Sequence, residues 1–250
     1  WGCKLERLIL DKNHVGDVGA GAIAQALVGG VPPLTHLSLS SNEIGRQSGK
    51  AVATLCGVLN TNSTLTQLDL SWNTIGPKAC ADILTALAQS TSLKALSLAW
   101  NRVGNPGADA ICRVLEENSG LERLDLTSCG VPGSYVGAFV QAMQPNTALQ
   151  ILKLDNNRFG FDGGMKLSAA LAAKKIRFSI SEVEGPAGRV VGSADTMVSN
   201  YNEGNPSGRW RLHLSNPNHR AVAEKLAEQA DQFDGECWRN EKYNGHRFSY

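Results

Sequence analysis

The sequence predicts an α/β solenoid built of strand, loop and helix units, and three observations carry that prediction. The phrase L-x-x-L-x-L-x-x-N/C opens at Leu5, Leu34, Leu65, Leu93, Leu121 and Leu149, at intervals of 29, 31, 28, 28 and 28 residues. An apolar residue and glycine follow the phrase in five copies, as Val15-Gly16, Ile44-Gly45, Ile75-Gly76, Val103-Gly104 and Phe159-Gly160. The hydrophobic period then lengthens from two to about four, so that Ala79, Ile83 and Leu87, or Gly107, Ile111 and Leu115, share one helical face.

Within each copy the positions have separate jobs. Leu8, Leu37, Leu68, Leu96, Leu124 and Leu152 form a ladder that points inward from short parallel strands. Asn13, Asn42, Asn73, Asn101, Cys129 and Asn157 occupy the slot where the chain leaves the strand, and an amide there supplies loop backbone with both a donor and an acceptor. Cys129 donates weakly, so its own repeat is expected to have the least firmly tied loop. Small residues at each helix head let the helix lie close over the strand. Strands then line a concave face and helices a convex one. The unit length, with a full helix in every copy, resembles the ribonuclease-inhibitor-like class of leucine-rich repeats over residues 5 to 180. That resemblance implies a leucine-rich-repeat solenoid presenting a long binding surface.

Three segments are expected. Residues 1–180 form the solenoid, six repeats plus a closing strand over residues 176–180. Residues 181–207, with glycines, prolines and no sustained period, read as a linker. Residues 208–250 read as a small α+β extension: a strand over 210–214, a helix starting with Asn216 as cap and Pro217 at its first position, and a hairpin around Asn244-Gly245. Its aromatic residues Trp210, Phe233, Trp238, Tyr243, Phe248 and Tyr250 are expected either to cap the open end of the stack or to dock on another chain. Segments 211–223 and 238–248 resemble the tail of leucine-rich-repeat proteins of algal and protist cilia. This second resemblance implies a ciliary, axonemal address.

Composition excludes little beyond bulk electrostatics. With 24 basic and 23 acidic side chains the net charge is +1, giving no support for nucleic-acid or membrane partners. No run of apolar residues is long enough to span a bilayer. The cysteines show no C-x-x-C pair, and Cys56, Cys80, Cys112 and Cys129 read as buried free thiols of an intracellular, cytoplasmic protein. The chain begins at Trp1 almost directly on a repeat, where a solenoid needs a polar cap, so more repeats or another domain are expected upstream.

Partner contacts are expected on the concave columns, which read Arg7, His36, Gln67, Ala95, Arg123, Ile151 and Ile9, Ser38, Asp69, Ser97, Asp125, Lys153. These are short, mixed and nearly neutral, and express no charge preference. Trp72 and Trp100 hold the same slot in adjacent repeats, one strand spacing apart, where they would stack or line an aromatic ridge. The alternative is that the pair shields the loop edge structurally, with Arg102 laid over an indole. The protein-binding set is therefore Trp72, Trp100, Arg102, Asp69, Asp125, Arg123 and Lys153.

Catalytic readings fail. Gly45 to Lys50 spells G-R-Q-S-G-K, which lacks a phosphate loop's four spacer residues and its following Ser or Thr. The histidines His14, His36, His213, His219 and His246 are scattered without metal spacing. Neither a metal, a cofactor nor a small-molecule substrate is expected. The expectation is a non-enzymatic scaffold or interaction subunit with protein partners. Two alternatives share the repeat class: a GTPase-activating protein of the nuclear-transport type using Arg46, and the repeat region of an innate immune receptor.

Overall fold

A computed structural model describes residues 4–28, 33–46, 49–180, 183–184, 211–212, 214, 216–222 and 224. Seven three-residue strands form one parallel sheet in sequence order: β1 (Arg7–Ile9), β2 (His36–Ser38), β3 (Gln67–Asp69), β4 (Ala95–Ser97), β5 (Arg123–Asp125), β6 (Ile151–Lys153) and β7 (Arg177–Ser179). Between them run α1 (Gly16–Leu27), α2 (Gly49–Thr61), α3 (Pro77–Gln89), α4 (Gly104–Glu117), α5 (Val136–Ala142) and α6 (Gly160–Ala173). The fifth repeat is the odd one, its short α5 following a 3-10 turn at Gly133–Tyr135.

Strand pairing holds the leucine ladder in register, Leu8, Leu37, Leu68, Leu96, Leu124 and Leu152 side by side, with Phe178 of β7 taking the same place. The ladder from Leu37 to Leu152 is buried, as are Leu34, Leu65, Leu93, Leu121 and Leu149 at the copy openings. Leu5 is 40% exposed, because β1 is the sheet's edge and lacks a neighbour on its outer side among the described residues.

The slot amides work across repeats as well as within one. Asn73 Nδ2 donates to Leu70 O and Ser71 O of its own strand exit and to Leu39 O of the preceding copy, while its Oδ1 accepts from Asn42 N and Ile44 N of that preceding copy. Asn157 repeats the arrangement, accepting from Cys129 N and Val131 N. Each amide therefore ties the loop before it. Cys129 Sγ donates to Leu98 O at 3.1 Å but has no amide oxygen to offer. The Asn101 loop, one repeat upstream, is held by main chain instead, Val103 N donating to Cys129 O at 2.9 Å, and because Asn157 ties the Cys129 loop, the expectation that Cys129 loosens its own loop is corrected.

A second amide column, absent from the sequence reading, closes the other end of each unit. Asn62, Asn118 and Asn146 each stand three residues before a copy's first leucine. Each donates across to a helix carbonyl one repeat back, Leu27 O of α1, Leu87 O of α3 and Leu115 O of α4 respectively, and accepts the N–H of Leu65, Leu121 or Leu149. Ser90 fills this place in the fourth unit, with its buried hydroxyl unpartnered.

Two further expectations change. Cys80 and Cys129 are buried free thiols, but Cys56 and Cys112 are only half-buried, since they sit toward the sides of their helices. The segment read as a linker contains strand β8 (Val183–Glu184), which pairs antiparallel with β9 (Arg211–Leu212). Residues 217–222 are helical after Asn216, whose Oδ1 accepts from Asn218 N at 2.9 Å. Leu214 is fully buried and donates its N–H to Ile180 O, and the Arg220 guanidinium lies 5.4 Å over the Phe178 ring. This part of the extension thus covers β7. Trp210, Phe233, Trp238, Tyr243, Phe248 and Tyr250, and the hairpin at residues 244–245, lie outside the described residues.

Candidate protein-binding surface

Where the chain leaves each strand, one residue takes left-handed backbone geometry. Lys12, Ser41, Trp72, Trp100, Ser128 and Asn156 fill this place, with φ between 54° and 60°. The hydrogen-bond ladder forces it: Trp72 N donates to Ala99 O and Trp100 N to Thr127 O, both at 2.8 Å, extending strand pairing past the strand ends. Such a conformation costs an L residue with a bulky side chain roughly 1–3 kcal/mol and suits Asn or Gly better. Tryptophan is thus a residue that this backbone disfavours, placed there twice in succession.

The two indoles stack face to face, ring centroids 4.1 Å apart and planes 12° from parallel. They remain 54% and 44% exposed, so stacking hides one face of each ring and leaves the outer faces bare. On either side the same position holds only Ser41 and Ser128. The pair forms a flat aromatic step on the rim of the concave face. Arg102 is exposed in the following loop, but the cation–aromatic contact among the described residues is that of Arg220 with Phe178, so the expected placement of Arg102 over an indole is corrected.

The concave columns lie in register as the sequence reading had them, and β7 adds Arg177 and Ser179. The columns of β1 to β6 line a shallow groove of about 450 Å3, with Arg177 and Ser179 at its β7 end outside that lining. Asp69 and Asp125 each accept a backbone N–H two residues on, from Ser71 and Thr127, which fixes both carboxylates against the sheet. Lys153 Nζ lies 3.2 Å from Asp125 Oδ2, a pair that cancels its own charge. Arg123 stands exposed beside them. The Trp pair and the Asp125–Lys153 pair are each brought together, on the same side of the sheet.

Arg46 is held by Glu43, Nη1 to Oε2 at 2.7 Å, and His14 Nδ1 meets the other carboxylate oxygen at 2.9 Å. The hydrogen bond from His14, with the Arg46 charge second, keeps the Glu43 carboxyl below the ordinary carboxylate value. Among the described residues no group of three or more His, Cys, Asp or Glu is placed to hold a metal ion, and no helix is long and apolar enough to cross a membrane.

The leucine-rich-repeat family model matches residues 3–24, 32–53, 61–84 and 89–112, the first four copies. The fold is a solenoid of leucine-rich repeats, four of them matched by the family model. No curated protein matches it. Among solved structures, leiomodin-1 actin-binding site 2 is similar with a TM-score of 0.51 at 17% identity, over 60% of this chain and 86% of that one. The tropomodulin C-terminal domain of Caenorhabditis elegans aligns with a TM-score of 0.45 at 13% identity, over 72% of this chain and 96% of that one. At 17% identity the likeness to leiomodin-1 describes the fold alone. The site residues rest on their own geometry.

Proposed function

We propose that this leucine-rich-repeat chain is a non-enzymatic scaffold that binds protein through its concave face and rim, centred on the Trp72–Trp100 stack, as one subunit of a larger intracellular assembly. The observation that carries this reading is two bare indoles held on a backbone that favours smaller residues. Strain of that kind persists where the side chain has a use, and exposed tryptophan is the side chain most enriched at binding hot spots. The pairing of Arg46 with Glu43 supports the non-enzymatic reading over the GTPase-activating one only in that the guanidinium has a partner within its own loop. The tail's likeness to ciliary proteins supports an axonemal place, and the repeat length supports the ribonuclease-inhibitor-like class. The leiomodin-1 structure bears the name of an actin-binding site, which makes actin the first cytoskeletal partner to assay.

The test is site-specific photocrosslinking of the full chain in axonemal and actin preparations, with the reactive group at exposed Thr74 beside the indoles or at exposed Asp82 on the convex helix α3. Adducts are expected from Thr74 and not from Asp82. Trp72→Asn with Trp100→Asn is expected to lower the Thr74 adduct roughly tenfold or more. Thermal stability should stay within a few degrees, because relief of roughly 1–3 kcal/mol of strain per residue offsets the lost stacking and burial. Undiminished rim adducts in the double variant would remove the tryptophans from the binding surface.

A further inference from the structure

We infer that the β5–β7 end of the concave face binds an acidic amphipathic helix lying across the strands, its carboxylates paired with Arg123 and Arg177 and an apolar side chain seated on Ile151. This rests on the protein-binding reading above and names the partner's chemistry. Pairing of β5, β6 and β7 places Arg123, Ile151 and Arg177 in one column. Both guanidiniums are exposed, and among the described residues neither side chain has an ion pair or hydrogen bond. Lys153 and Asp125 cancel beside them, so the two arginines are the uncompensated charges of this end. The two columns read together as nearly neutral, with Arg7, Arg123 and Lys153 against Asp69 and Asp125, gain a further basic group at this end once β7 contributes Arg177.

Spacing selects the occupant. Two strand steps separate the arginines, about 10 Å. On a helix, residues i and i+7 lie about 10.5 Å apart on the same face, with i+3 and i+4 between them to meet Ile151. An extended segment reaches about 10 Å at i+3, but that side chain points to the opposite face, so it engages one arginine only. Ala95 and Ser97 on β4 are short and leave room for the helix to continue along the groove toward β3. Asp69, fixed on the same face two strands from β5, disfavours a polyphosphate backbone running the length of the groove.

The probe is a fluorescein-labelled, alanine-rich helical peptide of about 18 residues carrying Glu, Leu and Glu at i, i+4 and i+7, titrated by anisotropy against the full chain. It should bind roughly tenfold or more tighter than the Gln, Leu, Gln peptide, and weaken with added salt. Arg123→Gln with Arg177→Gln should remove that preference while the far-ultraviolet spectrum stays unchanged. Trp72→Asn with Trp100→Asn should leave it in place. No binding by the Glu peptide, equal binding of the Glu and Gln peptides, insensitivity to the arginine pair, or tighter binding of single-stranded oligouridylate would each overturn the inference. Rim crosslinks through Thr74 would survive any of these results, so the two readings fail separately.

Discussion

At the scale of the residue, the solenoid is a set of buried hydrogen-bond ledgers that close in every repeat but one or two. The slot amides satisfy the loop N–H groups that would otherwise be orphaned, and an unpaired buried donor costs about 1–3 kcal/mol. Cys129 is where the amide column is interrupted, and there Val103 N of the Asn101 loop donates to the Cys129 carbonyl at 2.9 Å in place of a side-chain amide oxygen. Burial pushes the Cys129 thiol up to about 12, against an ordinary value of 9.0. A thiol that keeps its proton in the folded chain and loses it in the unfolded one makes stability fall between about pH 9 and 12. Cys129→Asn is therefore expected to stabilise the chain by about 1 kcal/mol at neutral pH, by adding a side-chain amide acceptor for the Asn101 loop beside the Cys129 carbonyl. The gain over the parent should widen above pH 9, where the parent's unfolded thiol ionises. Denaturant titration at pH 7 and pH 10 reads both. A variant less stable than the parent at pH 7 would contradict the amide-column account.

At the scale of the element, each helix is seated by what precedes it. Gly45 has φ +95°, and a Cβ there would lie 2.8 Å from Ile75 Cα and 2.9 Å from Thr74 O, both backbone atoms of the next repeat that cannot step aside. Gly45→Ala should cost about 2 kcal/mol or more and lower the melting temperature by several degrees. A neutral substitution would show that repeats two and three are not packed as described. The strands, the ladder and the helix faces were legible because periodicity reports which side chains share a face. The Trp pair was legible as a repeated slot, and its stacking followed from strand spacing. The left-handed backbone beneath it was not, because φ at the strand exit is imposed by hydrogen bonds to the next repeat and tolerates residues as unlike as Lys, Ser, Trp and Asn. The second amide column was open to view as N-x-x-L before three copies, yet Ser90 breaks it and hid the pattern. Arg177 escaped the list of concave residues because β7 departs from the leucine phrase, with Phe178 in the ladder position.

At the scale of the whole molecule, the curved sheet offers two unlike faces, and the account places function on one of them. The convex helices meet solvent through exposed side chains such as Asp82, Glu116 and Glu117. The concave side and its rim gather the stacked indoles, the fixed carboxylates and the unpaired arginines. Hydrogen exchange of the chain with and without its crosslinked partner decides between these faces. Added protection is predicted over residues 67–74, 95–102 and 123–128, the strands and exits around Trp72 and Trp100. Protection confined to residues 77–89 and 104–117, the convex helices α3 and α4, would contradict the central claim that the rim and concave face are where this protein meets its partner.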